Sequence, residues 1–241
     1  MSFKPLIASV QTIKIGNWFI EHSPALSLVW LHNLLDRRLS FIHKDDPSVL
    51  NIHDGSLVLK LESDLGDLTA KYKSNDNLKQ MLVKSLGQKS ARRNWLYAHF
   101  LLQHHIATPE PLAYLQSKKM ALNYQSWYIC RYEEGLSCEE YFLNSPSFTP
   151  SMRNTVSAIV DMFITLRECQ VSHGNFKASN ILILQNRPSL IDLDLMSYHA
   201  TKGKAERKWR EDLHFFMENW RERHDIDKQF RLAFAKHGVE L

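Results

Sequence analysis

The stretch from Val171 to Asp194, VSHGNFKASNILILQNRPSLIDLD, limits the fold more than any other part of the chain. A polar loop leads into an apolar run, then turn residues, then a second apolar run ending in acids. That order predicts loop, strand, tight turn and strand, with the turn at Asn186-Arg187-Pro188. It places His173, Asn175, Lys177 and Asn180 on one loop and Asp192 across a hairpin from them. Such a set suits a hard cation and a phosphate. Mg²⁺ takes oxygen ligands, so Asn180 and Asp192 are the candidate metal ligands.

Upstream, the hydrophobic pattern has period two. SVLNIH, Asp54-Gly55 and SLVLKL predict a hairpin, because Asp-Gly favours a primed turn. DLTAKYK continues it as a third antiparallel strand carrying Lys71. A basic helical stretch over residues 78–105 follows, with Leu82, Leu86, Trp95, Ala98, Leu101 and Leu102 as its apolar contacts. IATPEPLAYL opens a new strand, QSWYICRY is a buried one, and Glu133-Glu134-Gly135 is a joint. Beyond it the chain is mainly helical, with predicted helices from Thr149-Pro150 to Cys169, over 202–220 and over 227–235. Before residue 47, QTIKIGNWFI alternates like a strand, and a helix is expected with Ser23 as N-cap and Pro24 in its first turn. The expected class is α+β. Residues 1–46 form an extension, 47–132 a small antiparallel β-rich N-lobe and 133–241 a larger α-helical C-lobe.

Composition narrows the function classes. With 241 residues, 44% hydrophobic and 23% charged, the chain is an ordinary folded protein and not a disordered one. Three cysteines without CxxC spacing argue against a disulfide framework or a zinc site and fit a reducing, cytoplasmic setting. No secretory signal is visible, and the most apolar early stretch is too short to span a bilayer. His104-His105 lacks a third ligand at suitable spacing. Net charge is +4, with basic residues at Lys84, Lys89, Arg92 and Arg93 and again at Lys202, Lys204, Arg207, Lys208 and Arg210. These are solvated helix faces or, functionally, contacts to an anionic inner-membrane surface or to saccharide phosphates. They are not interleaved with exposed-looking aromatics, which argues against nucleic acid. Trp95, Trp209 and Trp220 lie at helical spacing, as core residues do.

Phosphoryl transfer from ATP needs a lysine on the phosphates, oxygen ligands for magnesium, and a group that orients the attacking hydroxyl. The string His173-Gly174-Asn175-Phe176-Lys177-Ala178-Ser179-Asn180 resembles the H-x-D-x-K-x-x-N loop of the protein-kinase-like superfamily, and Ile191-Asp192-Leu193-Asp194 its metal-binding Asp motif. With ARRNWLYAHFLLQHHIATPEPLAYL upstream, the chain resembles, over roughly residues 48–222, the bacterial lipopolysaccharide core kinases. Those enzymes phosphorylate heptose or Kdo sugars of the lipid-linked inner core. The resemblance implies a two-lobed protein-kinase-like fold, ATP and Mg²⁺ as cofactors, and an inner-core sugar as acceptor. It gives Lys71 the phosphate role, makes Lys177 a γ-phosphate or loop cation, and makes Asn180 and Asp192 the magnesium ligands. It assigns adenine contacts to backbone groups of Arg131 and Glu133, with Cys130 behind the base. His173 and Asp212 become braces.

Three departures stand out. Asn175 occupies the catalytic-base position, and an amide takes no proton; a positioned base is worth about 10²–10⁴-fold. Asn94 stands where the family has an acid to pair with Lys71, and no glutamate lies between Glu62 and Glu110. The first hairpin carries a single glycine, Gly55, and no G-x-G-x-x-G. Two functions therefore stand open. One is an ATP-dependent inner-core sugar kinase. The other is a pseudokinase, a nucleotide- or core-binding regulatory module without transfer.

Overall fold

The computed structural model describes residues 9–36, 45–53, 56–74, 90–118 and 124–240. The chain divides into two compact units. One holds the described residues of 9–99 with Pro109–Tyr132, the other Phe100–Thr108 with 133–240.

The first unit is built on a seven-stranded antiparallel sheet in the order β1-β2-β6-β7-β5-β4-β3. Its strands are β1 (Gln11–Ile15), β2 (Trp18–His22), β3 (Val49–His53), β4 (Ser56–Leu61), β5 (Leu68–Ser74), β6 (Pro111–Lys118) and β7 (Tyr124–Arg131). The three strands expected from the period-two pattern are β3, β4 and β5, paired in sequence order; the Asp54-Gly55 turn lies outside the described residues. β1 and β2, in the stretch before residue 47, belong to the same sheet through β2–β6 pairing, Ile20 opposite Leu115. Alternate residues of the strands, among them Ile20, Leu59, Leu61, Leu68, Ala70, Leu115, Trp127 and Ile129, form one buried face with Leu26, Leu31 and Leu34. The last two lie on helix α1 (Leu28–Leu35), so α1 covers that face.

α1 starts later than expected. Its N-cap is Ser27, whose hydroxyl accepts from the Trp30 N–H. Ser23 is held at the end of β2 instead, where its N–H donates to Leu112 O at 2.8 Å. Helix α2 (Ser90–Gln103) has Trp95, Ala98 and Leu101 fully buried as expected, whereas Leu102 is exposed. Leu82 and Leu86 lie outside the described residues.

In the second unit α3 (Cys138–Leu143) opens with a reciprocal cap, Ser137 and Glu140 each satisfying the other's backbone N–H. Helices α4 (Met152–Glu168), α5 (Lys202–Met217) and α6 (His224–Ala235) pack around aromatic rings. Phe163 stacks on Phe176 at 3.9 Å between ring centroids, and Trp220 on Phe230 at 5.6 Å. The Trp209 indole N–H donates to Phe163 O at 2.7 Å, which satisfies the one polar atom of a buried ring. Two small sheets complete the unit: β11-β10-β8 and β12-β9. Their strands are β8 (Leu136–Ser137), β9 (Val171–Ser172), β10 (Ile181–Leu184), β11 (Arg187–Leu190) and β12 (Ser197–Tyr198). Among the described residues no helix is long and apolar enough to cross a membrane.

Candidate active site

The hairpin between Asn180 and Asp192 turns one residue earlier than the sequence suggests. Leu184 pairs with Arg187 and Ile183 with Pro188, so the two-residue loop is Gln185-Asn186. Both have positive φ, 49° and 66°, as a primed turn requires. Pro188 is accommodated because β11 is an edge strand. Asn186 is fixed from outside the sheet: its carbonyl accepts from the Thr155 hydroxyl and its side-chain oxygen from Tyr141.

At the other end of the hairpin the chain closes on itself. The Ile191 N–H donates to Asn180 O at 2.9 Å, one step beyond the Ile181–Leu190 pair. Asn180 and Asp192 thus flank the hairpin base. Asn180 is buried, and its Nδ2 donates to Asn175 O at 2.9 Å. With the amide nitrogen committed there, the oxygen Oδ1 is the atom left to act as a ligand. The same Asn175 carbonyl accepts the Lys177 N–H, also at 2.9 Å. Asp192 sits in the left-handed region, φ 60° and ψ 54°, ahead of a 3₁₀ turn over Leu193–Leu195. A non-glycine residue held there costs on the order of 1–3 kcal/mol, and such strain concentrates at functional sites. An amide oxygen and a carboxylate are the hard donors that Mg²⁺ takes, alongside phosphate oxygens.

The loop is anchored from beneath by Asp212 of α5. Its carboxylate accepts the His173 N–H at 2.6 Å and the Gly174 N–H at 2.9 Å. Burial pushes the Asp212 carboxyl up to about 6, against the opposing pull of these backbone N–H bonds. His173 is fully buried, with Nε2 at 3.1 Å from Ile191 O. Burial lowers its basicity, and its hydrogen bond to Ile191 opposes that. A neutral imidazole donating to the strand carbonyl fits both facts. Gly174 has φ +81°, and a Cβ added there would stand 2.9 Å from Leu195 O. Position 174 therefore excludes a side chain both by conformation and by space.

The remaining site residues divide between the units. In the first, Lys71 lies on β5 opposite Val58 and Tyr128. It alternates with Leu68 and Ala70 and so projects from the sheet face away from α1. Asn94 on α2 is buried, its Nδ2 donating to Ser90 O at 3.0 Å. The Arg131 N–H donates to Glu110 O and the Tyr132 N–H to Asp67 O. The Arg131 N–H is thus committed within the sheet and is not open to a base. In the second unit, Glu133 accepts the Ser189 hydroxyl at 2.6 Å. Burial raises the Glu133 pKa and the Ser189 hydrogen bond restrains it.

Sequence reasoning missed two features. The Glu133–Ser189 contact has no local signal, since it joins residues far apart in the chain. The second is an open recess of about 420 Å³ beside Asn175, lined by Gly174 and by Lys208, Glu211, His214 and Phe215 of α5. Phe215 carried a readable sign. It is 46% exposed and out of phase with the buried positions Trp209, Asp212, Leu213 and Phe216.

The fold agrees with the comparisons to known proteins. Residues 56–232 match the lipopolysaccharide kinase (Kdo/WaaP) family. A solved structure, "WaaP in complex with acyl carrier protein", superposes with a TM-score of 0.57 at 19% identity, covering 78% of each chain. No curated protein sequence matches. The structural likeness identifies the fold as that of WaaP, and the family match extends over most of both units. The chain belongs to the lipopolysaccharide kinase (Kdo/WaaP) family.

Proposed function

We infer that the protein transfers the γ-phosphoryl group of ATP to a hydroxyl of a lipopolysaccharide inner-core sugar, heptose or Kdo. The observation that carries this reading is the orientation of Asn180. Its Nδ2 is fixed on Asn175 O, and its backbone carbonyl holds Ile191, the residue before Asp192. Asn180 and Asp192 would hold Mg²⁺, and bound magnesium neutralises charge on the transferring phosphate. Lys71 holds the α/β-phosphates. Lys177 supports the γ-phosphate from the loop. The Arg131 carbonyl and the Glu133 backbone bind adenine. Asn175 orients the sugar hydroxyl through its side-chain oxygen without taking its proton; the hydroxyl oxygen bonds to the γ-phosphorus as the bond to the β,γ-bridging oxygen breaks and ADP leaves, and the proton passes to solvent. A loose transition state tolerates this at reduced rate. The protein works in the cytoplasm, peripheral to the anionic inner-membrane surface where a lipid-linked acceptor presents its sugars.

A second reading is supported by the two asparagines. Asn175 removes the base. Asn94, where an acid would steady Lys71, spends its amide on its own helix at Ser90 O. On that reading the chain is a pseudokinase that binds nucleotide or core saccharide and regulates a partner.

Transfer from labelled ATP to dephosphorylated core oligosaccharide separates the two. The kinase reading expects transfer by the natural protein, its loss in Asp192→Ala, and a gain of about 10²–10⁴-fold in Asn175→Asp. Activity confined to Asn175→Asp establishes the pseudokinase. Absence of any Mg-ATP thermal shift refutes the kinase reading and nucleotide binding by the pseudokinase.

A further inference from the structure

The histidine doublet His104-His105 has no further ligand nearby in the sequence, but the fold brings it one from 65 positions away. His104 follows the last residue of α2, and Cys169 is the C-cap of α4. The next residue in each case, His105 and Gln170, has a left-handed backbone, φ 58° and 57°. The two helices end in the same way and end against each other, with Cys169 Sγ 3.4 Å from His104 Nδ1. Each helix C-terminus carries about half a negative charge, so their junction favours a cation. Phe100 orients the imidazole, the two ring centroids standing 4.3 Å apart. His104 is exposed and Cys169 half-buried, whereas Cys130 and Cys138 are buried.

We propose that Cys169 and His104 form a binding site for a borderline divalent transition metal such as Zn²⁺. Thiolate and imidazole are the donors such an ion takes, whereas Mg²⁺ and Ca²⁺ take oxygen. Zn–S and Zn–N bonds of about 2.3 Å and about 2.0–2.1 Å at a tetrahedral angle put sulfur and nitrogen about 3.5 Å apart. The pair already stands at that separation. Burial and then the Glu168 carboxylate push the Cys169 thiol up, so the metal-free thiol holds its proton and shares it with Nδ1. The ion replaces that proton: the thiol releases H⁺ to solvent, and sulfur and Nδ1 both bind the metal. Among the described residues no third His, Cys, Asp or Glu joins the pair, so water completes the coordination. His104 leads on to Ala107 and Thr108, whose carbonyl and hydroxyl bond the Leu190 N–H and carbonyl just before Asp192. Cys169 leads through Gln170, whose carbonyl takes the His199 N–H, to β9 and His173. A bound ion therefore ties together the segments that lead to Asp192 and to His173.

Co²⁺ is the probe, because thiolate-to-cobalt charge transfer in the near ultraviolet reports sulfur ligation. The full reduced chain is titrated with Co²⁺, followed by Zn²⁺ or excess Mg²⁺. One equivalent is expected to bind with a thiolate band that Zn²⁺ abolishes and Mg²⁺ leaves unchanged. Cys169→Ser loses the band. His104→Ala weakens binding about tenfold or more, since even a group that only supports a metal ligand is worth that much. His105→Asn, which tolerates the left-handed backbone, binds as the natural protein does. Melts of the metal-free variants show that they fold, and Zn²⁺ raises the melting temperature of the natural protein but not of Cys169→Ser. No thiolate band, a band that survives in Cys169→Ser, unchanged affinity in His104→Ala, or displacement by Mg²⁺ overturns the proposal. None of these readouts involves phosphate transfer, so the metal site and the kinase reading stand or fall separately.

Discussion

Replacing Asp212 by asparagine changes how stability depends on pH, and the sign follows from its burial. Asp212 is 5% exposed, and its carboxyl is pushed up from 3.8 to about 6. In the unfolded chain the group loses its proton near 3.8, while the folded chain holds it to about 6. The folded state therefore binds more protons across that window, and stability falls as pH rises through it. The contribution is fully present below about 3.8 and lost once pH passes about 6. At 1.36 kcal/mol per pH unit, the difference is worth about 3 kcal/mol. Asp212→Asn has no such titration. It retains one acceptor oxygen for the His173 and Gly174 N–H groups and presents an NH₂ in place of the other. Urea unfolding of both proteins at pH 4, 5, 6 and 7, followed by the fluorescence of buried Trp209 and Trp220, gives the stability difference at each pH. That difference, natural minus variant, is expected to fall by about 2 kcal/mol from pH 4 to 7, most of the full range, since the unfolded carboxyl is already partly ionised at pH 4. A flat difference, or one that grows with pH, refutes the view that desolvation governs this carboxylate.

Other outcomes follow from the same loop. Gly174→Ala puts a Cβ against Leu195 O at a left-handed φ, and thermal melts should show a loss of about 2–4 kcal/mol with phosphotransfer abolished. Phe176→Ala removes the ring stacked on Phe163 and should cost about 3–5 kcal/mol in denaturant unfolding. Asn180→Asp keeps an oxygen for a metal but loses the donor to Asn175 O. It should destabilise by about 1–3 kcal/mol and lower transfer together with Mg-ATP affinity, read by thermal shift with and without magnesium.

Much of the architecture is written in short-range pattern. The period-two runs gave β3 to β5, and the 173–194 string announced loop, hairpin and acid in order. What was not legible depends on partners distant in sequence. Nothing local in QTIKIGNWFI says that β2 pairs with β6, nearly a hundred positions away. Ser23 has the composition of an N-cap, but its carbonyl and hydroxyl take the Leu26 and Ala25 N–H groups in a turn, and the helix begins after Ser27. The hairpin loop was misplaced by one residue because Gln185-Asn186 contains no glycine, and its left-handed backbone is held by Tyr141 and Thr155. Within the site, Asn180 and Asp192 were visible as chemistry. Asp212 entered only through family likeness, since a single acid in a charged helix has no distinguishing neighbours. The recess went unseen, because its wall combines a loop and a helix separated by the β10–β11 hairpin and β12.

The bonds that hold the loop at residue 175 are made by its main-chain carbonyl, which receives Lys177 N–H and the Asn180 amide. Asp212 likewise grips backbone N–H groups of the two preceding residues. The scaffold is therefore indifferent to which side chain stands at 175. An acid there and an amide there would inherit the same loop and the same Asn180 and Asp192. A single base separates their codons, so on the kinase reading a lineage could exchange base and amide at this position without first surviving a misfolded intermediate. Selection on catalysis and selection on folding act on different atoms of the same residue.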